Sequence, residues 1–276
     1  MCGTDVDYIT APFLEKTETK GWWQTEFWGK WMHSAVPYLG YCGSEKLKAS
    51  IDRGIDRMLA SQEPSGYIGN YPDELRCGEG WDVWGMKYTM MGLIHYYDLM
   101  WRAETSRPTD MAGADLRAAR GLEACKRLCD YVIGEIGPDG KRGRKLWQTG
   151  GWSGYASSSI LEPVVWLYRR THEKKYLDFA TYIVKGMTEP EAGPRLVDLV
   201  LKGVSVADRN GYGNMPETHG GYVMKHNRWK AYEMMSCYQG LLDFVQVKSE
   251  ELRVKSFKDD PLFVAAVNTA EDIAKE

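Results

Sequence analysis

Apolar side chains recur along this chain mainly at helical spacing, and no alternating run runs longer than a handful of residues. From 78 to 98 the sequence reads GEGWDVWGMKYTMMGLIHYYD. A polar, aromatic entry with Glu79, Trp81, Asp82 and Trp84 leads into a helix whose Met86, Met90, Leu93, Ile94 and Tyr97 share one face. The same period predicts helices over 47–61, 116–136, 157–170, 230–247 and from 261 onward. The cleanest amphipathic helix carries Tyr176, Phe179, Ala180, Ile183, Val184 and Met187 at steps of three and four. A turn and cap at Ser44-Glu45-Lys46 opens the helix at 47, and Pro64, Gly66 and Gly69 close it. Residues 102–115 and 189–214 read as loops, the second with a short helix near 195–202, and 1–20 as an irregular polar arm.

Polar, aromatic stretches stand at 21–31 (GWWQTEFWGKW, leading into a helix through Pro37 to Tyr41), 78–84, 147–155 (WQTGGWSGY) and 215–229. Each precedes the first helix of a pair, and the pairs repeat at intervals of roughly 60 to 75 residues. This pattern predicts an all-α fold of antiparallel helix hairpins, an (α/α)6-barrel-like toroid with about four hairpins present. The four stretches would then gather at one end around a central pocket; an open α-solenoid would instead string them along a concave face. The helical domain is placed at 21–276, with 1–20 as an arm outside it.

Composition narrows the function. With 43% apolar content in 276 residues, the chain can bury a large core. A net charge of −3 and a pI near 6.0 provide no basic field for nucleic acid. No apolar run approaches the roughly 20 residues of a membrane span. The start, MCGTDVDYITAPF, lacks the pattern of an export signal. Six cysteines show no CxxC spacing, and Cys125 and Cys129, one turn apart, read as buried thiols ahead of metal ligands. Eleven tryptophans and 17 tyrosines either fill a core or line a groove for carbohydrate or apolar ligands.

The candidate chemistry lies in the aromatic stretches. Trp22, Trp28, Trp81, Trp84 and Trp152 are candidate stacking platforms for sugar rings, with burial in the core as the rival reading. Glu26, Asp82, Glu162 and Glu233 each stand at the start of the first helix of a pair. Glycoside hydrolysis generally needs two carboxyls, about 5 Å apart for retention or about 6.5–9.5 Å for inversion. Asp82, Glu162 and Glu233 are therefore the catalytic candidates, although a carboxylate at such a position also serves as an N-cap or buried hydrogen-bond partner. Glu26, Lys87, Ser157, Ser158 and Lys230 are candidates for binding sugar hydroxyls. His219 and His226 fit proton transfer or ligand contact, or simply a loop surface, and nothing beside them completes a metal-ligand set.

Three segments, GEGWDVWGMKYTMMGLIHYYDL, YASSSILEPVVWLYRRTHEKKYLDFATYIVK and KAYEMMSCYQGLLDF, resemble glycoside hydrolase family 127 and its neighbours, and GWWQTEFWGKWMHSA fits that family's first hairpin. The resemblance covers about 21–276 and implies an (α/α)6 barrel, here its front two-thirds. It also implies a hydrolase of the β-L-arabinofuranosidase type acting on oligosaccharides. Family members use a zinc-bound cysteine thiolate as nucleophile with a glutamate acid/base, so zinc is the implied cofactor. Those ligands belong to a later part of the family's chain, and no cysteine here stands in a matching Glu–Cys–Cys setting. Met86 or Lys87, and Lys230, stand where the resemblance leads one to expect the arabinofuranosidases' pocket histidines, a departure that bears on L-arabinofuranose as the sugar. A carbohydrate-binding helical domain without catalysis and a protein-binding α-solenoid are the alternative readings. Apolar edges of an unfinished barrel predict self-association.

Overall fold

The predicted apolar periods become helices with recognisable caps. The computed structural model describes residues 3–16, 23–78, 80–106, 112–150, 154–188, 194–209, 218–219, 222–223, 231–253 and 256–275. By internal contacts the chain divides into two compact units, Met1–Glu135 and Ile136–Glu276. Each is described by itself.

The first unit holds α1 (Val6–Glu15), α2 (Glu26–Cys42), α3 (Glu45–Ser61), α4 (Asp82–Ser106) and α5 (Ala112–Ile136). Residues expected to form an irregular arm are instead helical in α1, because Val6, Thr10 and Phe13 fall on one face and are buried against α3. Arg53 of α3 clamps Asp7 with two bonds of 2.6 Å. α2 begins at Glu26, so most of the aromatic stretch expected ahead of the helix forms its first turns. It ends where Gly43 adopts φ 61° and donates its N–H to the Leu39 carbonyl at 2.9 Å. Ser44 then caps α3 by accepting from the Leu47 N–H at 3.3 Å. α4 and α5 both extend into 102–115, where a loop was expected; 107–111 lie outside the described residues.

α2 and α4 run parallel. Their contacts climb both helices together: Thr25 with Gly85, Gly29 with Tyr88, Met32 with Gly92, His33 with His95, Gly40 with Leu99. At the crossing the backbones nearly touch, since a Cβ on Gly29 would lie 2.1 Å from the Tyr88 carbonyl oxygen. α5 returns antiparallel along α4, with Cys125 beside Met90 and Gly121 beside Leu93. Every residue from Asp82 to Ile94 is buried, as befits a helix enclosed on all sides.

The second unit holds α6 (Tyr155–Ser158), α7 (Leu161–Thr171), α8 (Lys174–Thr188), α9 (Leu196–Leu201), α10 (Val206–Arg209), α11 (Ala231–Leu252) and α12 (Pro261–Lys275). The helix expected over 157–170 is broken into α6 and α7 at Ser159–Ile160. In α8 all six periodic positions are buried; each large apolar side chain there contributes roughly 1.5–3 kcal/mol on transfer from water. α7 and α11 are parallel too, with Tyr155 just ahead of α7 meeting Cys237, then Leu161 with Gly240, Trp166 with Asp243, and Arg169 with Glu250. Two-residue strands β1 (Thr218–His219) and β2 (Tyr222–Val223) pair antiparallel within the stretch expected to be a loop. Within each unit, then, the first helices of successive pairs lie side by side and point the same way.

Arg209 anchors α10 to α11 and α12. Its guanidinium is 1% exposed and donates to the Val204 carbonyl, the Tyr238 and Thr269 hydroxyls, and the Asp272 carboxylate at 2.6–3.4 Å. A buried cation is tolerated there because its donors are matched.

Candidate functional site

Each of the four helices that begin a pair (α2, α4, α7, α11) carries one carboxylate in its first turn: Glu26, Asp82, Glu162 and Glu233. Acidic residues suit helix N-termini through the macrodipole alone. Their surroundings decide what else they can do.

In the first unit a stripe of polar and aromatic side chains runs along the α2–α4 seam. The Trp84 indole N–H donates to the Glu26 carboxylate. Lys30, one turn on, pairs with Glu26 at 3.0 Å and lies over the rings of Trp84 and Tyr88. Lys87, 1% exposed, sits 5.0 Å from the Trp84 ring centre and 5.1 Å from that of Tyr88. Cations over aromatic faces are attracted by the ring quadrupole, more strongly where water is excluded. Trp81 packs edge-on against Trp84 and stays half-exposed. Further along, His33 Nδ1 and His95 Nε2 stand 2.8 Å apart, one imidazole donating and the other accepting. His33 keeps an exposed edge, yet burial against α4, and secondarily the charge of Lys87, lowers its affinity for a proton. The accessible members of the stripe are Glu26, Lys30, Trp81 and the imidazole pair, groups that hold hydroxylated rings, while Lys87, Trp84 and Tyr88 lie buried behind them.

Asp82 does different work. It is 2% exposed, and its two oxygens accept from the Tyr67 hydroxyl at 2.7 Å and the Cys77 N–H at 2.9 Å. Burial, then the Asp82 charge, pushes the Tyr67 phenol well above its usual range. Tyr67 carries the Arg76 guanidinium on its ring at 3.8 Å, and Arg76 forks onto Glu63. Asp82 thus ties the loop after α3 to the start of α4, each of its oxygens accepting an internal hydrogen bond. Asn70, fully buried in that loop, has neither amide atom hydrogen-bonded to a described residue.

Burial corrects the reading of Trp28 as a stacking platform. It is fully buried, wedged between Gly54 of α3 and Gly92 of α4, and presents no face to a sugar. Trp84, 2% exposed, is enclosed by Tyr88 and the two lysines; its role is to hold Glu26 and the cations.

In the second unit Glu162 and Glu233 are 7% and 6% exposed, on the parallel neighbours α7 and α11. Ser157 and Ser158 are buried, and the Ser157 hydroxyl meets that of Thr149 at 2.8 Å. Asp243, halfway along α11, accepts from the Trp166 indole at 2.8 Å, and burial raises its carboxyl above the usual range. The unit's large cleft, between α8, α9, α11 and α12, contains neither Glu162 nor Glu233. Trp22, Trp152, His226 and Lys230 lie outside the described residues, as does all of His219 except its backbone in β1.

Among the described residues no three His, Cys, Asp or Glu side chains converge where a metal ion could be held. Two of the described buried thiols have a backbone carbonyl as partner: Cys237 donates to that of Tyr155 at 3.2 Å, and Cys125 faces that of Met90.

The sequence reading missed Lys30, His33, Tyr88, His95 and Asp243. Two signals were available. Glu26, Lys30 and His33 recur at helical steps on α2, as do Trp84, Tyr88 and His95 on α4. Neither row means anything until the parallel pairing sets one against the other.

No protein-family model and no curated protein matches the chain. Among solved structures it is similar to a GH127 β-L-arabinofuranosidase from Geobacillus stearothermophilus T6, with a TM-score of 0.60 and 14% identity over 99% of this chain. The match covers 40% of that enzyme, so the chain spans less than half its length. Identity this low speaks for the fold alone, which is all-helical and (α/α)-barrel-like.

Proposed function

We propose that this chain handles carbohydrate at the first turns of its pair-opening helices and cleaves a glycosidic bond there. The observation that carries the reading is the Glu26–Trp84–Lys30–Tyr88 cluster, a carboxylate held by an indole and an ammonium beside aromatic faces. The shared fold with a glycoside hydrolase supports it. In this reading Trp81 stacks on the sugar, while Glu26 and Lys30 hold its hydroxyls. In the second unit, taken by itself, Glu162 and Glu233, buried carboxylates on neighbouring parallel helices, are the candidates for acid and base. β-L-Arabinofuranosides, the substrate class in the name of the structural neighbour, are the first to try.

A second reading, sugar binding without turnover, is favoured by the commitment of Asp82 to internal bonds. One experiment separates the two. A panel of aryl glycosides is assayed with the parent chain and with Glu162→Gln, Glu233→Gln and Glu26→Gln, with tryptophan fluorescence reporting sugar binding. Hydrolysis lost in the Glu162 and Glu233 variants, with binding kept, supports catalysis. Binding without hydrolysis by the parent supports the second reading, and absence of both refutes carbohydrate as the ligand.

A further inference from the structure

A cleft of about 870 Å³ opens in the second unit; neither Glu162 nor Glu233 lines it, and it is independent of the carbohydrate reading. Its walls are apolar: Leu177 and Val184 of α8, Val197 and Leu201 of α9, Phe244 of α11 and Leu262 of α12 all face it. That volume lies within the roughly 300–1,000 Å³ of small-molecule sites, which are lined in the same way. Leu201, 51% exposed, and Leu252, 64% exposed, stand in the lining as uncovered apolar side chains.

The rim decides what kind of molecule fits. Lys185, Lys202 and Lys248 are balanced by Asp198, Glu251 and Asp260. Lys202 is paired with Asp198 at 2.6 Å, and Arg195 holds the same carboxylate at 2.6 Å. Lys248 faces Asp260 at 3.7 Å, Glu251 accepts from the Tyr168 hydroxyl at 2.6 Å, and Lys185 is not free either. A charged headgroup would have to break one of these pairs or enter apolar walls unpaired, and both cost free energy. Polar capacity of another kind remains. The Thr181 and Thr188 hydroxyls donate to their own helix, to the Leu177 and Lys185 carbonyls, so each oxygen can still accept a hydrogen bond.

We propose that this cleft is a binding site for an uncharged amphiphile, an apolar body carrying a hydroxyl that donates to Thr181 or Thr188. The neutral dye Nile red, titrated into the purified chain, gives saturable fluorescence. Dodecanol displaces it at concentrations about tenfold below those needed for dodecanoate or dodecyltrimethylammonium, all used below micelle formation. Leu201→Lys places a charge at the mouth and Thr181→Trp fills the cleft; both sites are exposed, so the fold tolerates them, which thermal melts check. Each weakens dye binding about tenfold. Three outcomes overturn the proposal: no saturable binding, equal displacement by all three chains, or unchanged binding in both variants. A fourth does so too. If sedimentation shows that the parent self-associates and that Leu201→Lys abolishes this, the cleft takes a second copy of the chain.

Discussion

Gly29→Ala tests the close parallel crossing of α2 and α4 on which the first unit's site depends. The added Cβ would lie 2.1 Å from the Tyr88 carbonyl oxygen, 2.4 Å from its carbon and 2.6 Å from the Tyr88 Cβ. Comfortable contact between carbon atoms is about 3.5–4.0 Å, so the helices must part by more than about 1 Å. The obstacle is backbone within a fully buried stretch of α4, and it cannot swing aside as a side-chain tip would. Overpacking of this kind costs about 1–3 kcal/mol and occasionally more. Replacing a helical glycine regains about 0.5–1 kcal/mol. The expected net loss is about 1–2 kcal/mol, read as a melting temperature lower by about 2–8 °C for a chain of this size. Gly121→Ala is the control: its Cβ would meet only the tip of Leu93, at 3.9 Å, and the change should leave stability unchanged or raise it by about 0.4–1 kcal/mol. Urea unfolding followed by tryptophan fluorescence measures both. A Gly29→Ala chain as stable as the parent would refute the crossing. Because Lys30 and Glu26 are neighbours of Gly29 on α2, sugar binding should weaken along with stability.

The other expectations concern single groups. Asp82→Asn removes the charge that Tyr67 and the Cys77 N–H hold, and should lower stability by about 1–3 kcal/mol in a denaturant titration; full stability with lost turnover would mean that Asp82 acts in catalysis and not in holding the loop. Arg209→Met leaves the acceptors on Tyr238, Thr269 and Asp272 without their donor, and about 1–3 kcal/mol should be lost; an unchanged melt would mean that the network is dispensable. The folded-state pKa of His33 lies below the ordinary 6.5, so the unfolded chain binds that proton more tightly. Its contribution is therefore intact above 6.5 and declines as pH falls through and below that value, and His33→Asn should flatten this part of the melting profile. A parallel profile in the variant would rule the pair out as its source.

Much of the fold is local in origin and so could be read along the chain. The period that buries Tyr176, Phe179, Ile183 and Met187, the Ser44 cap, and the carboxylates opening α2, α4, α7 and α11 are set by residues within a few turns of one another. The irregular arm failed because α1 buries too few side chains to advertise its period; Arg53 and Arg57, far along the chain, hold it. The site was legible as residue types and illegible as roles. Whether Trp28 faced a ligand or the core depended on Gly54 and Gly92 leaving room for it. Whether Asp82 was free depended on Tyr67 reaching it across a loop. The stripe of Glu26, Lys30 and His33 against Trp84, Tyr88 and His95 exists only in one register of two parallel helices. Periodicity records which face of a helix avoids water, a property of each segment alone. Which face meets which, and how closely, follows from packing between segments far apart in the chain, and there a single missing Cβ at Gly29 sets the distance.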